Sequence, residues 1–310
     1  MIDTVLIAGP TASGKSAAAI AVARATGGVI VNADSMQVYR ERPILSARPS
    51  AADEAAAEHR LFGMVSVREH FSVARWLEAA RAALADIHAT GRLAIVTGGT
   101  GLYFKALEEG LSDAPSSEPA GRAAAQARRA ALGPEAFHAE LVRLDPASAR
   151  LNPGDAQRTL RAWEVVTASG RGLAAHAAVP AVPALDPGRT LGVVIDVGRP
   201  VLHARIDARF EAMLAAGALD EARAFWALEP DPMSPAAKAL GLPQFRLVLE
   251  GTQTLEAAAA EAKMLTRRFA KRQGTWFRNQ TPHWARIDAS DGDAGRVAGS
   301  ILARLEPVPR

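Results

Sequence analysis

An α/β fold, a parallel sheet with helices on both faces and a helical insertion, is predicted by three features of the sequence. A short apolar run at residues 4–8 meets a glycine-rich turn, and a helical pattern follows from Lys15. Two further apolar runs, 28–31 and 93–97, each end in polar or glycine residues, the pattern of strands whose carboxyl ends face a ligand. From about residue 112 to 187 the chain turns Ala- and Arg-rich and helical, with no comparable apolar run.

In chain order, residues 4–8 read as a strand and residues 15–26, with apolar side chains at helical spacing, as a helix. The run 28–31 reads as a strand ending at Asn32-Ala33-Asp34-Ser35. A helix over 73–88 stops at Gly91, and a strand over 93–97 leads into Gly98-Gly99. After the insertion a strand returns at 190–196, and helices are predicted over 203–216, 220–228, 235–249 and 255–273. The proline-rich stretches 179–187 and 229–235 are loops. These elements imply a core domain of residues 1–111 and 190–310, and an insertion domain of residues 112–189.

Composition narrows the function. The net charge of +3, from 36 basic and 33 acidic residues, permits a nucleic-acid partner only through local clustering. With no cysteine, thiolate nucleophiles, disulfides and cysteine-ligated zinc are excluded. Residues 1–10 lack a basic n-region, and no apolar stretch reaches the ~18 residues of a membrane span, so a cytoplasmic location is expected.

The strongest motif is Gly9-Pro10-Thr11-Ala12-Ser13-Gly14-Lys15-Ser16, which fits G-x-x-x-x-G-K-[ST] between a strand and a helix. Glycines let the backbone aim N–H groups at phosphate oxygens, and the helix N-terminus adds partial positive charge. Lys15 neutralises phosphate charge and the Ser16 hydroxyl suits a magnesium ion. The core is therefore P-loop NTPase-like, although the loop does not say which phosphate compound it holds. Asp34 points towards the same cleft, where a carboxylate can accept a proton, but alone it reads as a turn-capping aspartate. Asp196 fits either a magnesium ligand or, more commonly, an exposed strand end.

Taken with Asn32-Ala33-Asp34-Ser35-Met36-Gln37-Val38-Tyr39 and Gly98-Gly99-Thr100-Gly101-Leu102-Tyr103, the loop resembles that of the tRNA dimethylallyltransferase family. The resemblance continues through residues 152–162, Asn-Pro-Gly-Asp-Ala-Gln-Arg-Thr-Leu-Arg-Ala, and ends with 270–278, Ala-Lys-Arg-Gln-Gly-Thr-Trp-Phe-Arg. These blocks occur in family order over nearly the whole chain. The chain lacks the cysteine-containing zinc extension of eukaryotic members, so it resembles the bacterial type.

The resemblance implies transfer of a dimethylallyl group from dimethylallyl pyrophosphate to N6 of adenosine 37 in tRNA, with magnesium and release of pyrophosphate. By resemblance Asp34 is the base, Thr100 and Arg209 join the loop in stabilising the leaving pyrophosphate, and Ser16 holds the metal. Without the family pattern Arg209 reads as a surface charge. The turn Asp34-Ser35-Met36-Gln37, with Thr100, Arg122 and the helix carrying Gln157, Arg158, Thr159, Leu160 and Arg161, is implied to contact the tRNA. Gln157 and Arg161 share a helix face at i and i+4, where a solvated face is the alternative. The expected partners are the tRNA anticodon loop and dimethylallyl pyrophosphate, with no membrane, the chain acting as a monomer.

Near the C-terminus, Arg267 with Lys271 and Arg268 with Arg272 form like-charged i,i+4 pairs, a cost that an anionic partner relieves. The interleaved aromatics Phe269, Trp276, Phe277 and Trp284 read as mostly core. Two stretches depart from the family pattern, Leu45-Ser46-Ala47-Arg48-Pro49 and the Leu242-Pro243 step, which puts secondary tRNA contacts there in doubt. A small-molecule kinase and a non-enzymatic RNA-binding protein are the rival readings. The first needs a second magnesium carboxylate and a lid; the second leaves Asp34 without a purpose.

Overall fold

Alternating apolar runs and helical stretches produce one parallel sheet. The computed structural model of the chain describes residues 1–69, 71–115, 118–231 and 234–305. Residues 116 and 117 of the insertion and 232 and 233 of the loop read at 229–235 lie outside the described residues. The chain divides into two compact units, residues 1–108 with 184–310, and residues 109–183. The second boundary falls earlier than position 190 because the Ala184 N–H bonds the Leu107 carbonyl (2.8 Å) and Leu185 is buried.

The larger unit holds six strands: β1 (Thr4–Ala8), β2 (Val29–Asn32), β3 (His59–Arg60), β4 (Ala94–Gly98), β5 (Thr190–Asp196) and β6 (Ala285–Asp288). All pair in parallel, in the order β3-β2-β4-β1-β5-β6. Strand β1 lies between β4 and β5, with Ala8 opposite Gly98 and Val194, so the ends of the central strands converge where the chain reverses its winding direction.

Residues alternate across the sheet. On one face Val5, Ile7, Ile95, Val193 and Ile195 pack with Ala18, Ala19 and Val22 of α1 (Lys15–Thr26) and Val297, Ala298 and Ile301 of α13 (Ala294–Leu302). The small alanines let α1 lie close to the sheet. Helices α2 (Ala51–Ala56), α3 (Val73–Ala89) and α4 (Gly101–Glu109) follow β2, β3 and β4. Trp76 of α3 stacks on Tyr103 of α4 (4.0 Å between centroids, 15°) and donates to the Asn32 carbonyl (2.9 Å), so its indole is buried without an orphan N–H.

The second unit contains α5 (Pro119–Leu132), α6 (Pro134–Leu144), α7 (Ala156–Ser169) and α8 (Leu173–Ala177) around Ala125, Phe137, Leu141, Leu160, Ala162 and Val166. Asp155 caps α7 by accepting the Arg158 N–H (3.1 Å). Asp113 and Ser169 sandwich the His176 ring, 2.8 Å from Nδ1 and 3.0 Å from Nε2.

Several elements of the larger unit differ from the sequence expectation. Helix α9 (Arg199–Ala215) begins at a proline-containing first turn, before residue 203, and α10 (Ala218–Ala227) follows it. The helix expected over 235–249 is cut to α11 (Leu242–Leu249), because Gly241 at φ +95° breaks the preceding turns away from it. Helix α12 (Leu255–Gln280) runs through Gly274 where the sequence expectation ended it at 273; a helix interior tolerates a glycine at about 1 kcal/mol. Strand β6 and α13 were not anticipated, nor was the two-residue β3.

Candidate active site

The loop after β1 builds the anion cradle. Gly9 and Pro10 leave the strand buried, the Ser13 N–H closes on the Pro10 carbonyl (3.2 Å), and Ala12 and Gly14 take left-handed backbone conformations (φ +63° and +91°). Lys15 and Ser16 then open α1. Ser16 is exposed, whereas the Ser13 hydroxyl is buried with no hydrogen-bond partner among the described residues. Lys15 Nζ donates to the Pro10 carbonyl at 3.4 Å. Burial pushes its pKa down to about 8, against the pull of Asp34 and with the push of Arg209.

Thr11 ties the loop to two helices. Its hydroxyl accepts from the Arg209 guanidinium of α9, and its N–H donates to Gln273 Oε1 of α12 (2.9 Å). Arg209 is thus tied to the phosphate loop and is not a surface charge; burial lowers its pKa while Asp34 opposes the shift.

At the end of β2, Asn32 Oδ1 accepts the Asp34 N–H (2.8 Å), and Asn32 Nδ2 donates to the Asp34 carbonyl (3.0 Å). The Asp34 carboxylate accepts the Met36 N–H (2.9 Å) through Oδ1. Thr100, after β4, closes this turn: its Oγ accepts the Ser35 N–H (2.9 Å) and donates to Ser35 Oγ (3.2 Å), while its own N–H bonds the Ala33 carbonyl (3.2 Å). Gly98 makes the approach possible, since a Cβ there would stand 2.1 Å from the Ala33 carbonyl. Asp34, Thr100, Lys15 and Arg209 therefore share the carboxyl edge of β1, β2 and β4.

Two candidates need correction. In α7 the Thr159 hydroxyl bonds the Asp155 carbonyl (2.9 Å) and is buried, and Leu160 is core, because the apolar stripe of the helix must pack inward; neither side chain is available to RNA. Gln37 spends its amide N–H groups on the Ser46 and Ala47 carbonyls (3.0 and 2.7 Å). Gln157 and Arg158 are exposed, and Arg161, half-buried, donates to the Pro115 carbonyl (2.6 Å). Arg122 is half-buried in α5.

The departing stretch 45–49 scaffolds the Asp34 turn. Glu221 of α10 accepts the Ile44 and Leu45 N–H groups (2.7 and 2.8 Å), and Arg48 donates to the Tyr39 and Arg40 carbonyls (3.3 and 3.0 Å). Leu242 is core, and its carbonyl accepts from Trp226. Two residues that sequence reasoning missed sit under the site. One is Gln273. The other is Arg42, 0% exposed, which donates to the Met36 carbonyl (3.1 Å) between the rings of Tyr39 and Phe225. Burial lowers its pKa to about 10.

No group of three or more His, Cys, Asp or Glu able to hold a metal exists among the described residues. Asp196 ends β5 beside Arg286 (3.4 Å) with its side chain 46% exposed, which favours the strand-end reading. On α12, Arg267 pairs with Asp207 (2.6 Å), while Arg268, Lys271, Arg272 and Arg278 are exposed along one side. Phe277 and Trp284 are core, whereas Phe269 and Trp276 are half-buried.

Sheet order, phosphate loop and the polar residues at the strand ends define an α/β protein of the P-loop class. Family models described as IPP transferase and isopentenyl transferase match residues 37–280 and 2–65. A tRNA dimethylallyltransferase of Rhodopseudomonas palustris is 50% identical over 291 residues, covering 94% of this chain and 91% of that protein. One of Maricaulis maris is 47% identical over 310 residues, covering 100% and 99%. Among solved structures, the full-length tRNA isopentenylpyrophosphate transferase of Bacillus halodurans aligns with a TM-score of 0.70 at 30% identity, over 98% of this chain and 97% of that one. A eukaryotic dimethylallyltransferase acting on tRNA shares the fold, with a TM-score of 0.82 at 24% identity, covering 100% and 81%. The chain belongs to the tRNA dimethylallyltransferase family.

Proposed function

We propose that the protein transfers the dimethylallyl group of dimethylallyl pyrophosphate to N6 of adenosine 37 in the tRNA anticodon loop, releasing pyrophosphate. The observation that carries this reading is the placement of Asp34. A carboxylate stands at the end of β2, its backbone held by Asn32 and its Oδ1 accepting the Met36 N–H, in the electrostatic field of the phosphate-loop lysine. A phosphate loop alone would suit a nucleotide; a proton acceptor beside it suits an attacking amine.

In this reaction the adenine amine attacks the first carbon of the allylic chain, a C–N bond forms and the C–O bond to pyrophosphate breaks, its electron pair leaving with oxygen. Asp34 takes the proton released from nitrogen. The loop N–H groups of residues 9–16, Lys15 and Arg209 meet the charge that develops on the leaving group. Thr100 holds the Ser35 end of the turn, so that Asp34 faces the reacting atoms. The target base leaves its stack to reach a site below the protein surface.

Magnesium fits the residues present: Ser16 offers an exposed hydroxyl on the first turn of α1, which would hold the ion beside the phosphate loop. When bound, it neutralises charge on the diphosphate. RNA contacts are assigned to Gln157, Arg158, Arg161 and Arg122 in the smaller unit, and to Ser35, Met36 and the exposed basic side of α12 in the larger. No helix among the described residues is long and apolar enough to cross a membrane. We assign the enzyme to the cytoplasm as a monomer.

The test is incubation with tRNA, magnesium and dimethylallyl pyrophosphate, followed by digestion of the RNA and detection of prenylated adenosine. Absence of product, with ATP consumed in a parallel reaction, would favour a kinase instead.

A further inference from the structure

The phosphate loop and the turn after β4 are far apart in sequence, and a single side chain joins them. Gln273 of α12 is 6% exposed, and both ends of its amide are used. Its Oε1 accepts the Thr11 N–H at 2.9 Å, and its Nε2 donates to the Gly99 carbonyl at 2.9 Å. The partners fix the amide orientation, since an N–H meets only the oxygen and a carbonyl only the nitrogen. Gly99 is shaped to this contact: a Cβ there would stand 2.2 Å from Gln273 Nε2 and 3.5 Å from Asp34 Oδ2.

Each end of the amide leads to a different half of the chemistry. Through Thr11 it reaches the loop that grips the pyrophosphate, where Arg209 holds the Thr11 hydroxyl. Through Gly99 it reaches Thr100, whose hydroxyl anchors the Ser35 end of the turn carrying Asp34. A misplacement of about 1 Å between a base and the bond it serves costs on the order of 100-fold in rate. We infer that Gln273 is a positioning residue which sets the distance between the leaving-group grip and the proton acceptor. The inference rests on the proposed prenyl transfer and assigns Gln273 no contact with either substrate.

Gln273→Glu and Gln273→Leu separate this role from simple packing. A protonated glutamate presents the same acceptor and the same donor as glutamine, whereas its anion turns an oxygen against the Gly99 carbonyl. Burial raises the pKa of a carboxyl, so lowering the pH moves the variant's side chain towards the protonated form. The charged groups around the site, Lys15, Arg209 and Asp34, are common to wild type and variants, so kcat is compared as a ratio to wild type at each pH. Gln273→Glu should lose about 10- to 100-fold in kcat at pH 8.5 and recover to within about 3-fold at pH 6. Gln273→Leu should stay low at every pH. Affinity for inorganic pyrophosphate at pH 6, measured without tRNA, should be near wild type for Gln273→Glu and about 3- to 10-fold weaker for Gln273→Leu.

A pH-independent loss in Gln273→Glu, or wild-type kcat in either variant across the range, would overturn the inference. Should Gln273→Leu fail to fold, the isosteric Gln273→Glu carries the test alone. Absence of prenylated adenosine with the wild-type enzyme would defeat the proposed reaction instead, and the pyrophosphate comparison would still decide whether Gln273 organises the loop.

Discussion

In the protein without a bound anion, Lys15 is a source of instability whose size follows from its surroundings. Burial lowers its pKa from 10.5 to about 8. At about 1.4 kcal/mol per tenfold change in proton affinity, the charged lysine costs the protein without ligand about 3 kcal/mol at pH 7. The folded value is depressed, so stability is greatest above pH 10.5 and falls as the pH drops through about 8. Lys15→Met keeps most of the aliphatic stem and removes the charge. The variant without ligand should therefore be more stable than wild type by about 3 kcal/mol at pH 7, shrinking to about 1.5 kcal/mol at pH 9.5. For a unit of this size, 3 kcal/mol corresponds to about 6 °C or more in Tm.

Thermal unfolding of both proteins between pH 6.5 and 9.5, with and without inorganic pyrophosphate, provides the assay. Pyrophosphate should raise the wild-type Tm strongly and the variant's little, and wild-type affinity should weaken as the pH rises through about 8. A variant less stable than wild type, or a stability gap equal at pH 7 and 9.5, would refute the view that Lys15 is held in waiting for an anion.

Asp34→Ala should lower kcat about 100-fold or more while inorganic pyrophosphate affinity stays within about 3-fold, as measured by single-turnover kinetics and calorimetry; full turnover would remove Asp34 as the base. Arg158→Ala should weaken tRNA binding and reduce the slope of log K against log salt by about 0.7 to 0.9; an unchanged slope would take that exposed residue off the RNA. Gly98→Ala should destabilise the core by about 3 kcal/mol or leave it insoluble, since its Cβ would meet the Ala33 backbone at 2.1 Å, which thermal unfolding would register.

The four central strands of the sheet and the phosphate loop were legible in the sequence because each rests on local chemistry: apolar runs make buried strands, and a glycine-framed lysine at a helix start makes an anion site. Asp34 stood at a strand end facing the cleft, but its role as a base and the part of Thr100 came from the family pattern, since an aspartate in that position alone reads as a turn cap. Arg209 needed the family pattern, since nothing within α9 marks one arginine as buried. Gln273 was missed because its partners lie 262 and 174 residues away. Arg42 was missed because arginine is rarely fully buried, and only the packing of Tyr39 and Phe225 encloses it. Thr159 and Leu160 went the other way: motif membership placed them on the RNA, but the apolar stripe of α7 required them in the core.

The placement of carboxylates explains how one loop architecture serves two kinds of transfer. Phosphoryl transfer at a P-loop places an acid at a second strand end to hold magnesium. Here the corresponding candidate, Asp196, stands beside Arg286 on an exposed edge, and the acid in the cleft is Asp34, its backbone held by Asn32, its Oδ1 accepting the Met36 N–H, and its charge coupled to Lys15. An acid at that position is free to accept a proton. The loop around it then has only to hold a diphosphate and accept its growing charge. Thr11 is held from two sides, by Arg209 and by Gln273, and Gln273 also holds the turn that sets Asp34. Phosphate loop and Asp34 turn are thus parts of one hydrogen-bonded frame, as the proposed reaction, joining carbon to nitrogen while pyrophosphate departs, would require.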